Sequence, residues 1–475
     1  MLFNSIEFLL FLPTVFVLYW FVFNQNLKGQ NLLILLSSYV FYGWWDYRFL
    51  SLIFLSTIVD YIIGLNIHKQ DSERKQKLLL WCSVLFNLSV LGFFKYYNFF
   101  VDSWIDLFGS IGYEIKSIWT LNIILPVGIS FYTFQTMSYT IDIYRKKLDP
   151  TKDFISFASF VSFFPQLVAG PIERATTLLP QILYKREFKY EQGVQGLRLI
   201  LWGMFKKVVI ADSLAPLVDD IFTNYNDYGG GTLWLGAIYF AFQIYCDFSG
   251  YSDISIGTSK LFGFELMSNF KFPYFSRNIG EFWRRWHISL STWFRDYLYI
   301  PLGGSKEGKW KSIRNIFVIF LVSGFWHGAN WTFIFWGIFH SILFLPSFIF
   351  NTNRKYTTSI IAENTFLPSP KELIQVGVTF ILVTIGWVFF RSETIGDSFN
   401  YLNQMLFEVN IPNQFRSGIL NIIVLTIIDY LIRKDERVIF KTSFVYRYLL
   451  YVILFLLIVF SSMENSVEEF IYFQF

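Results

Sequence analysis

Two histidines stand in surroundings where a titratable imidazole is unusual: His327 in SGFWHGANW and His287 in RRWHISLS. A histidine with a pKa near neutrality can take a proton from a hydroxyl group while that hydroxyl attacks a carbonyl carbon, as acyl transfer to an alcohol requires. The chain contains four histidines but no H-E-x-x-H zinc motif and no G-x-S-x-G nucleophile elbow. The sequence therefore disfavours a metal hydrolase and a serine hydrolase, and histidine-dependent acyl transfer is the chemistry that these residues could perform.

The apolar run IFVIFLVSGFW before His327 predicts that this histidine lies inside a membrane. An ionisable group at that depth is expected to face a bundle interior or a hydrated cavity. Gly324 and Gly328 bracket it at the spacing that lets two helices approach closely. A structural histidine that bonds a neighbouring helix is the alternative. His340 is a weaker candidate, and His68, in a basic loop, is expected to be solvated.

Two further polar segments interrupt the apolar sequence. CDFSGYSDISIG, residues 246–257, places Asp247 and Asp253 at the end of a predicted span, and FFPQLVAGPIERATTLLPQ, residues 163–181, contains prolines and Glu173. Each segment is either a helix break whose freed backbone lines a cavity or a capped turn at the membrane interface. Their occurrence in one chain favours a cavity.

The longest polar interval contains SRNIGEFWRRWHISLSTWFRDYLYIPLGG, which predicts two short helices. Asn278 followed by Glu281 matches the reciprocal capping arrangement of a helix start. A second start is predicted at Ser289 or Ser291, and Pro301 is expected to end that helix. The histidine of this interval lies at the junction between the two helices.

Two interpretations of this basic interval stay open at this point. Tryptophan and arginine together are typical of an anchor at the cytoplasmic surface of a membrane. Alternatively, the interval is a re-entrant, basic lining that guides an anionic or phosphate-bearing donor toward the membrane interior, where irregular backbone is tolerated only around a cavity or within protein.

The elements that must position these residues are transmembrane helices. Of the 475 residues, 54% are hydrophobic and 16% are charged, against about 25% charged in an average soluble domain. Long unbroken apolar runs exclude a β-barrel, whose strands alternate over about ten residues. We predict an all-α, polytopic bundle of about 11–13 spans with re-entrant or interfacial helices. The candidate spans lie near 6–24, 31–46, 49–65, 78–97, 118–141, 154–170, 195–216, 232–248, 313–327, 331–349, 373–390, 418–432 and 445–461.

Basic loops predict the orientation, because lysine and arginine stay on the cytoplasmic side. The basic clusters within 69–77, 266–314 and 433–447 share that side by this rule, so both termini are predicted to be extracytoplasmic. No basic residue precedes Lys28 and no cleavage site follows the first apolar run, so we expect a retained span. No repeat or linker divides the chain, which we treat as one integral domain, 1–475.

The remaining composition argues against other kinds of site. Cys82 and Cys246 have no metal-type spacing, so neither a zinc site nor a disulfide framework is indicated. The net charge of +4 is too small to indicate a nucleic-acid partner. We expect no bound metal or cofactor.

Four motifs in order resemble the membrane-bound O-acyltransferase family, and specifically its bacterial alginate O-acetylation type. They are QLVAGPIER, CDFSGYSDISIG, FWRRWHISLSTWFRDYLYIPLGG and GFWHGANW, and they span residues 163–335. The resemblance implies a helical bundle pierced by a central tunnel in a bacterial cytoplasmic membrane. It implies that His327 is the catalytic residue and that His287 supports the site or the donor passage.

The resemblance also implies a thioester donor, acetyl-CoA or an acyl carrier protein, that enters from the cytoplasm. Arg284, Arg285 and Arg295 are candidates for holding its phosphates. Further candidates for the tunnel or donor site are Trp286, Ser289, Asp247 and Asp253. The acetyl group would leave on the outer side, toward an exopolysaccharide or toward a soluble or anchored extracytoplasmic acetyltransferase that serves as partner.

Three other functions stay open. D-alanyl transfer to teichoic acid and the acetylation of peptidoglycan fit the same motifs. A transporter or flippase for a polysaccharide precursor also combines helix breaks with an intramembrane histidine. Transporters often contain inverted repeats, and the two halves of this sequence show no such similarity, which favours the enzyme.

Overall fold

The computed structural model of the protein describes residues 1–113, 120–168, 170–408, 410–412, 414–435, 443–464 and 470–471. Within these ranges the regular structure is helical and no strand is formed. The prediction of an all-α fold is confirmed. The α-helices, in chain order, are Ile6–Val17, Leu27–Asp46, Leu50–Lys69, Glu73–Leu91, Tyr97–Ser110, Ile129–Tyr144, Phe154–Val161, Phe164–Leu167, Ala175–Leu183, Tyr190–Met204, Asp212–Thr223, Gly230–Leu261, Ile279–Arg285, Ile288–Phe294, Lys309–His327, Trp331–Ile349, Pro370–Arg391, Ile395–Phe407, Gly418–Leu431 and Phe444–Glu464.

The chain forms two compact units. The first comprises Met1–Gly193 with Ser259–Leu266, and the second comprises Val194–Thr258 with Met267–Phe475. All residues singled out for acyl-transfer chemistry lie in the second unit. The assignment of the whole chain to one domain stays a prediction.

Five helical segments are long and apolar enough to cross a membrane: Leu27–Lys69, Glu73–Ser110, Trp331–Ile349, Pro370–Arg391 and Phe444–Met463. The shorter apolar segments are Ile6–Val22, Phe154–Leu167 and Gly418–Leu431. The first segment has 43 residues, about twice the length that one span needs, and it contains two of the predicted spans. The predicted total of about 11–13 spans, which is larger than these five segments, stays a prediction.

One predicted span begins later than its hydropathy suggests. Residues 118–119 lie outside the described part of the chain, and residues 120–128 are not helical; the helix begins at Ile129. Pro126 has no amide hydrogen, and Gly128 has a φ of +73°. A left-handed residue directly before the helix gives it a sharp start.

The polar segment 246–257 does not interrupt a helix, so both sequence interpretations of it are wrong. The helix Gly230–Leu261 runs through it without a break. A Cβ atom on Gly250 would lie 2.8 Å from the carbonyl oxygen of Gly203 on the helix Tyr190–Met204. The glycine therefore permits close packing of two helices, rather than a bend in one.

The segment 163–181 does contain a break. The short helix Phe164–Leu167 is separated from Ala175–Leu183, and residues 171–174 between them have no regular structure. Glu173, within the break, is 1% exposed. Gly170 and Pro171 lie in this break, whereas Pro165 is in the first turn of the short helix and Pro180 is inside the next one. The helix break is as one of the two interpretations predicted.

The helices Lys309–His327 and Trp331–Ile349 are in direct backbone contact. A Cβ atom on Gly324 would lie 2.2 Å from the carbonyl oxygen of Phe333, and one on Gly337 would lie 2.3 Å from that of Phe320. The predicted close approach at Gly324 is confirmed. It places His327 at the buried end of its helix.

Candidate active site

His287 joins the two short helices Ile279–Arg285 and Ile288–Phe294. Its φ of 42° and ψ of 57° are left-handed, and it is the N-cap of the second helix. The predicted start at Ser289 or Ser291 is therefore wrong by one or more residues. A serine commonly caps a helix with its side chain, whereas this helix begins because the backbone reverses at His287.

The first helix is capped only in part as predicted. The side chain of Asn278 accepts a hydrogen bond of 2.8 Å from the amide of Glu281. The carboxylate of Glu281 does not return a bond to Asn278; it accepts from the amide of Arg277 at 2.8 Å. The reciprocal arrangement is absent because this carboxylate has a different set of partners.

Glu281 lies buried between two arginines. Its carboxylate is 3.1 Å from the guanidinium of Arg277 and 2.8 Å from that of Arg285. The guanidinium of Arg285 also donates to the backbone carbonyls of Lys271 and Ser359. These contacts hold the basic interval against itself and against Ser359, so it is a packed structural element with a buried face. Whether it lies at the membrane surface stays a prediction.

His327 is the last residue of the helix Lys309–His327 and is 3% exposed. Its ring centre is 5.2 Å from that of Trp336 and 5.3 Å from that of Phe390. The ring centres of His287 and His327 are 6.5 Å apart. Two elements distant in sequence thus bring the two predicted histidines together.

Both histidines line one cavity of about 540 Å³. Aromatic side chains form much of its wall, including Trp283, Phe294, Phe320 and Phe344. Its basic lining residues are Lys271, Arg284, Arg295 and Arg354. Lys271, Arg295 and Arg354 are exposed, whereas the histidines are buried. The cavity therefore leads from a basic rim at the protein surface to a pair of buried imidazoles.

Within the described residues, neither ring nitrogen of His287 has a hydrogen-bond partner. Burial lowers the pKa of this imidazole to about 3, because the charged form loses its hydration. His287 is therefore neutral at physiological pH. Both ring nitrogens of buried His340 also lack a partner in the described structure, so what distinguishes His287 is that it lines the cavity.

Comparison of the amino-acid sequence with known proteins identifies the family of this chain. The probable alginate O-acetylase AlgI of Pseudomonas syringae pv. tomato is 42% identical over 420 residues, which are 86% of this chain and 77% of the relative. The chain belongs to the membrane-bound O-acyltransferase family. The family model itself matches residues 145–360, a range that includes both cavity histidines. The protein is thus an acyltransferase and a multi-pass membrane protein.

Two other relatives have similar coverage. The probable alginate O-acetylase AlgI of Pseudomonas aeruginosa is 43% identical over 397 residues, 83% of this chain and 73% of its own. The peptidoglycan O-acetyltransferase of Helicobacter pylori is 35% identical over 435 residues, 86% of this chain and 80% of its own. The predicted resemblance to this O-acyltransferase family is confirmed.

The three predicted arginines of this O-acyltransferase have different surroundings. Arg284 lines the cavity and donates to the backbone carbonyls of Asn353 and Tyr356. Arg295 also lines it, pairs with Asp296 at 2.7 Å, and has a side chain that is 59% exposed. Arg285 is not among the lining residues. Arg284 and Arg295 thus line the cavity, whereas Arg285 pairs with Glu281.

Trp286 and Ser289 are buried beside the cavity but do not line it. The ring of Trp286 packs against Phe270 and Trp387, with centres 5.1 and 4.9 Å apart. Ser289 is fully buried, and its hydroxyl has no hydrogen-bond partner within the described chain. The structure gives both residues a place in the packing that supports His287.

Asp247 and Asp253 belong to an ion-pair network outside the cavity. Lys207 lies 2.7 Å from Asp247 and 2.8 Å from Asp212, and Lys206 lies 2.6 Å from Asp253. Asp247 also accepts a 2.7 Å bond from the amide of Ile471. These carboxylates neutralise the two buried lysines, and Asp253 lines a small neighbouring cavity. Their predicted role in binding the donor or lining a tunnel stays a prediction.

Sequence reasoning missed these lysines and several cavity residues. Lys206 and Lys207 stand in the apolar segment 195–216, and two lysines in such a segment are a signal that buried carboxylates must face them. Arg354 offered no such signal, because its place at the rim depends on how a loop distant in sequence folds back. His340 is fully buried against Trp283 and Trp336 and is not a lining residue.

Proposed function

We propose that the protein accepts an acetyl group from a cytoplasmic thioester and delivers it for O-acetylation of an extracytoplasmic polysaccharide. The single observation that carries this proposal is the cavity that joins a basic rim to His287 and His327. Relatives that are named for alginate and peptidoglycan O-acetylation support an acetyl group and a surface polymer. The bacterial cytoplasmic membrane, with both termini outside, is the location that the basic loops favour.

The lining of the cavity fits a thioester with a phosphorylated carrier. Arg295, Lys271 and Arg354 provide positive charge at the rim, where the phosphates of acetyl-CoA or of an acyl carrier protein's prosthetic group would bind. The aromatic wall suits the uncharged arm that leads to the thioester. A largely apolar interior would also protect the acyl group from hydrolysis.

The proposed chemistry uses His327 in one of two ways. As a general base, it takes the proton of the acceptor hydroxyl while the oxygen forms a bond to the thioester carbonyl; the carbon–sulfur bond then breaks and the thiolate receives that proton. As an acyl relay, its ring nitrogen attacks first, expels the thiolate and passes the acyl group to the hydroxyl. Neutral His287, 6.5 Å away, can bind the reacting group in either route.

The final acceptor and any partner follow from the same proposal. The acetyl group passes either directly to a polysaccharide hydroxyl or to a soluble or anchored acetyltransferase outside the membrane. Transfer of D-alanine to teichoic acid is the nearest alternative within this family. Membership of an acyltransferase family leaves the transporter without support.

The test is the ester-linked acetyl content of surface polysaccharide in a deletion strain. The strain is complemented with wild type, His327→Ala, His287→Ala or His340→Gln, and the membrane abundance of each variant is measured. We expect wild type and His340→Gln to restore acetylation, and His327→Ala to be present but inactive. His340 is the matched control, because it is equally buried in the same unit but does not line the cavity.

Two outcomes would overturn the proposal. Full acetylation with His327→Ala would make this histidine structural. Unchanged acetyl content on deletion, with loss of ester-linked alanine, would replace the acetyl group by D-alanine and leave the acyltransferase assignment intact.

A further inference from the structure

The backbone of His287 adopts a conformation that needs an external cause. Its φ of 42° lies in the left-handed region, which residues other than glycine rarely occupy. Such a conformation persists only where surrounding contacts impose it. Because this residue is the N-cap of the helix Ile288–Phe294, whatever imposes the turn also sets the direction of the imidazole.

Asn269 provides the contacts that impose this turn. Its backbone carbonyl accepts a 2.9 Å hydrogen bond from the amide of Ile288. Its side-chain Oδ1 accepts a 3.3 Å bond from the amide of Ser289. These are the first two amides of the helix, and the second is one that the side chain of a cap residue often binds at other helix starts. Here a residue 18 positions upstream of His287 binds them instead.

The chain segment that contains Asn269 is itself held in place by hydrogen bonds. The amide of Lys271 donates a 3.0 Å bond to the carbonyl of Arg285, and the guanidinium of Arg285 donates to the carbonyl of Lys271. Asn269 is 1% exposed. The residues on both sides of the turn are therefore held by one short segment, residues 269–271, in which Asn269 and Phe270 are buried.

The imidazole of His287 has little else to orient it. Its two ring nitrogens have no hydrogen-bond partner within the described residues. Its closest ring contact is an edge-on approach to Phe248, with centres 4.6 Å apart. Packing against Phe248 restrains the ring, but the backbone turn decides toward which side the Cα–Cβ bond points.

We infer that Asn269 is a positioning residue that acts through His287. Its side-chain carbonyl holds the left-handed turn and so directs the imidazole into the cavity that His327 lines. This inference rests on the proposed function, in which His287 binds the reacting group. Asn269 is not a lining residue of that cavity, so its effect on transfer is indirect.

The experiment measures kcat and KM for acetyl transfer from acetyl-CoA by the purified full chain in proteoliposomes. The variants are Asn269→Leu, which removes the acceptor, and Asn269→Asp, which keeps an oxygen near the amide of Ser289. The variant His287→Gln and the double variant Asn269→Leu/His287→Gln complete a double-mutant cycle.

We expect Asn269→Leu to lower kcat about tenfold, because a small misplacement of a catalytic group has effects of this size or more. The KM of Asn269→Leu should stay within about twofold of wild type. The kcat of Asn269→Asp should stay within about threefold of wild type. In the His287→Gln background, Asn269→Leu should have less than about a twofold effect, because the group that it positions is gone.

A purely structural role would give different results. The inference is overturned if Asn269→Leu has the same effect with and without His287, if Asn269→Asp is as impaired as Asn269→Leu, or if Asn269→Leu is fully active. If Asn269→Leu does not accumulate, Asn269→Ser takes its place in the cycle, because its shorter side chain cannot reach the Ser289 amide. Wild-type activity in His287→Gln would instead contradict the proposed function.

Discussion

Two buried polar regions of the second unit differ in how their charges and hydrogen bonds are satisfied. In one, Lys207 lies within 2.8 Å of Asp212 and Asp247. In the other, His287 lines a cavity, and in the described structure its ring nitrogens have no hydrogen-bond partner. The difference separates groups whose charges are paired within the protein from a group that lines a cavity and has no partner within the described chain. Burial of a polar residue alone does not distinguish the two.

The comparison shows that predicted site residues with similar sequence surroundings have different surroundings in the structure. Asp247 and His327 both stand in apolar sequence, where function is the natural first hypothesis. Asp247 is fully occupied by a lysine and a backbone amide, whereas His327 lines the cavity. An intramembrane polar residue is thus a candidate for catalysis only when its surroundings contain space for a reactant.

The largest expected effect is on catalysis at the cavity. His327→Gln should lower the rate of acetyl transfer by about 10²–10⁴, the usual contribution of a general base. Its midpoint of thermal unfolding in detergent should change little, since glutamine is smaller and polar. Transfer assays and thermal denaturation of the same preparation check this. A residual rate above about a third of wild type would contradict a chemical role for His327.

The ion-pair network should respond in the opposite way. Lys207→Met leaves Asp212 and Asp247 buried without their cation, and breaking such a pair costs about 3–5 kcal/mol. We expect a large loss of thermal stability with normal turnover per folded molecule. Lys311→Met is the control, because the Lys311 pair with Glu307 is exposed and should contribute less than about 1 kcal/mol. Equal stability of the two variants would contradict the comparison.

A pH effect on stability should come from His287. Its folded-state pKa of about 3 lies below the usual value of about 6.5, so the unfolded chain binds a proton first as the pH falls. The contribution of His287 to the free energy of unfolding is absent above about pH 6.5. It destabilises the fold progressively as the pH falls from about 6.5 to about 3. At pH 5 it amounts to about 2 kcal/mol.

His287→Gln should remove that part of the acid sensitivity. The measurement is the midpoint of thermal unfolding between pH 5 and 7.5 for wild type and His287→Gln. His68→Gln is the control, because the side chain of His68 is 58% exposed. An unchanged pH dependence in His287→Gln would mean that the buried imidazole does not stay neutral.

The smallest expected effect lies at the rim of the cavity. Arg295→Gln should lower kcat/KM for acetyl-CoA a few-fold and weaken its dependence on salt, because an exposed cation attracts phosphates through screened charge. Arg48→Gln is a matched control: both arginine side chains are 59% exposed and pair with a nearby aspartate. Identical kinetics of the two variants would remove Arg295 from the donor site.

Part of the candidate site could be predicted from patterns in short segments of the sequence. The apolar runs, the order of the four motifs and the isolated histidines are properties of short segments, so the all-α class and the pair His287 and His327 could be predicted. Asn278 as a helix cap is likewise local, because its bond reaches only three residues along the chain. The left-handed turn at His287 could not be predicted, since Asn269 imposes it from another segment.

The sequence by itself determined a helical membrane protein from its apolar runs, and an acyltransferase with two candidate histidines from motifs that resemble a known family, because neither feature depends on distant contacts. Only the tertiary structure decided which charged groups are neutralised by a partner and which groups line the cavity. Asp247 and Asp253 look as reactive as the histidines when read along the chain. Their buried cations come from other turns and other helices, and the free energy of burying a charge depends on those partners.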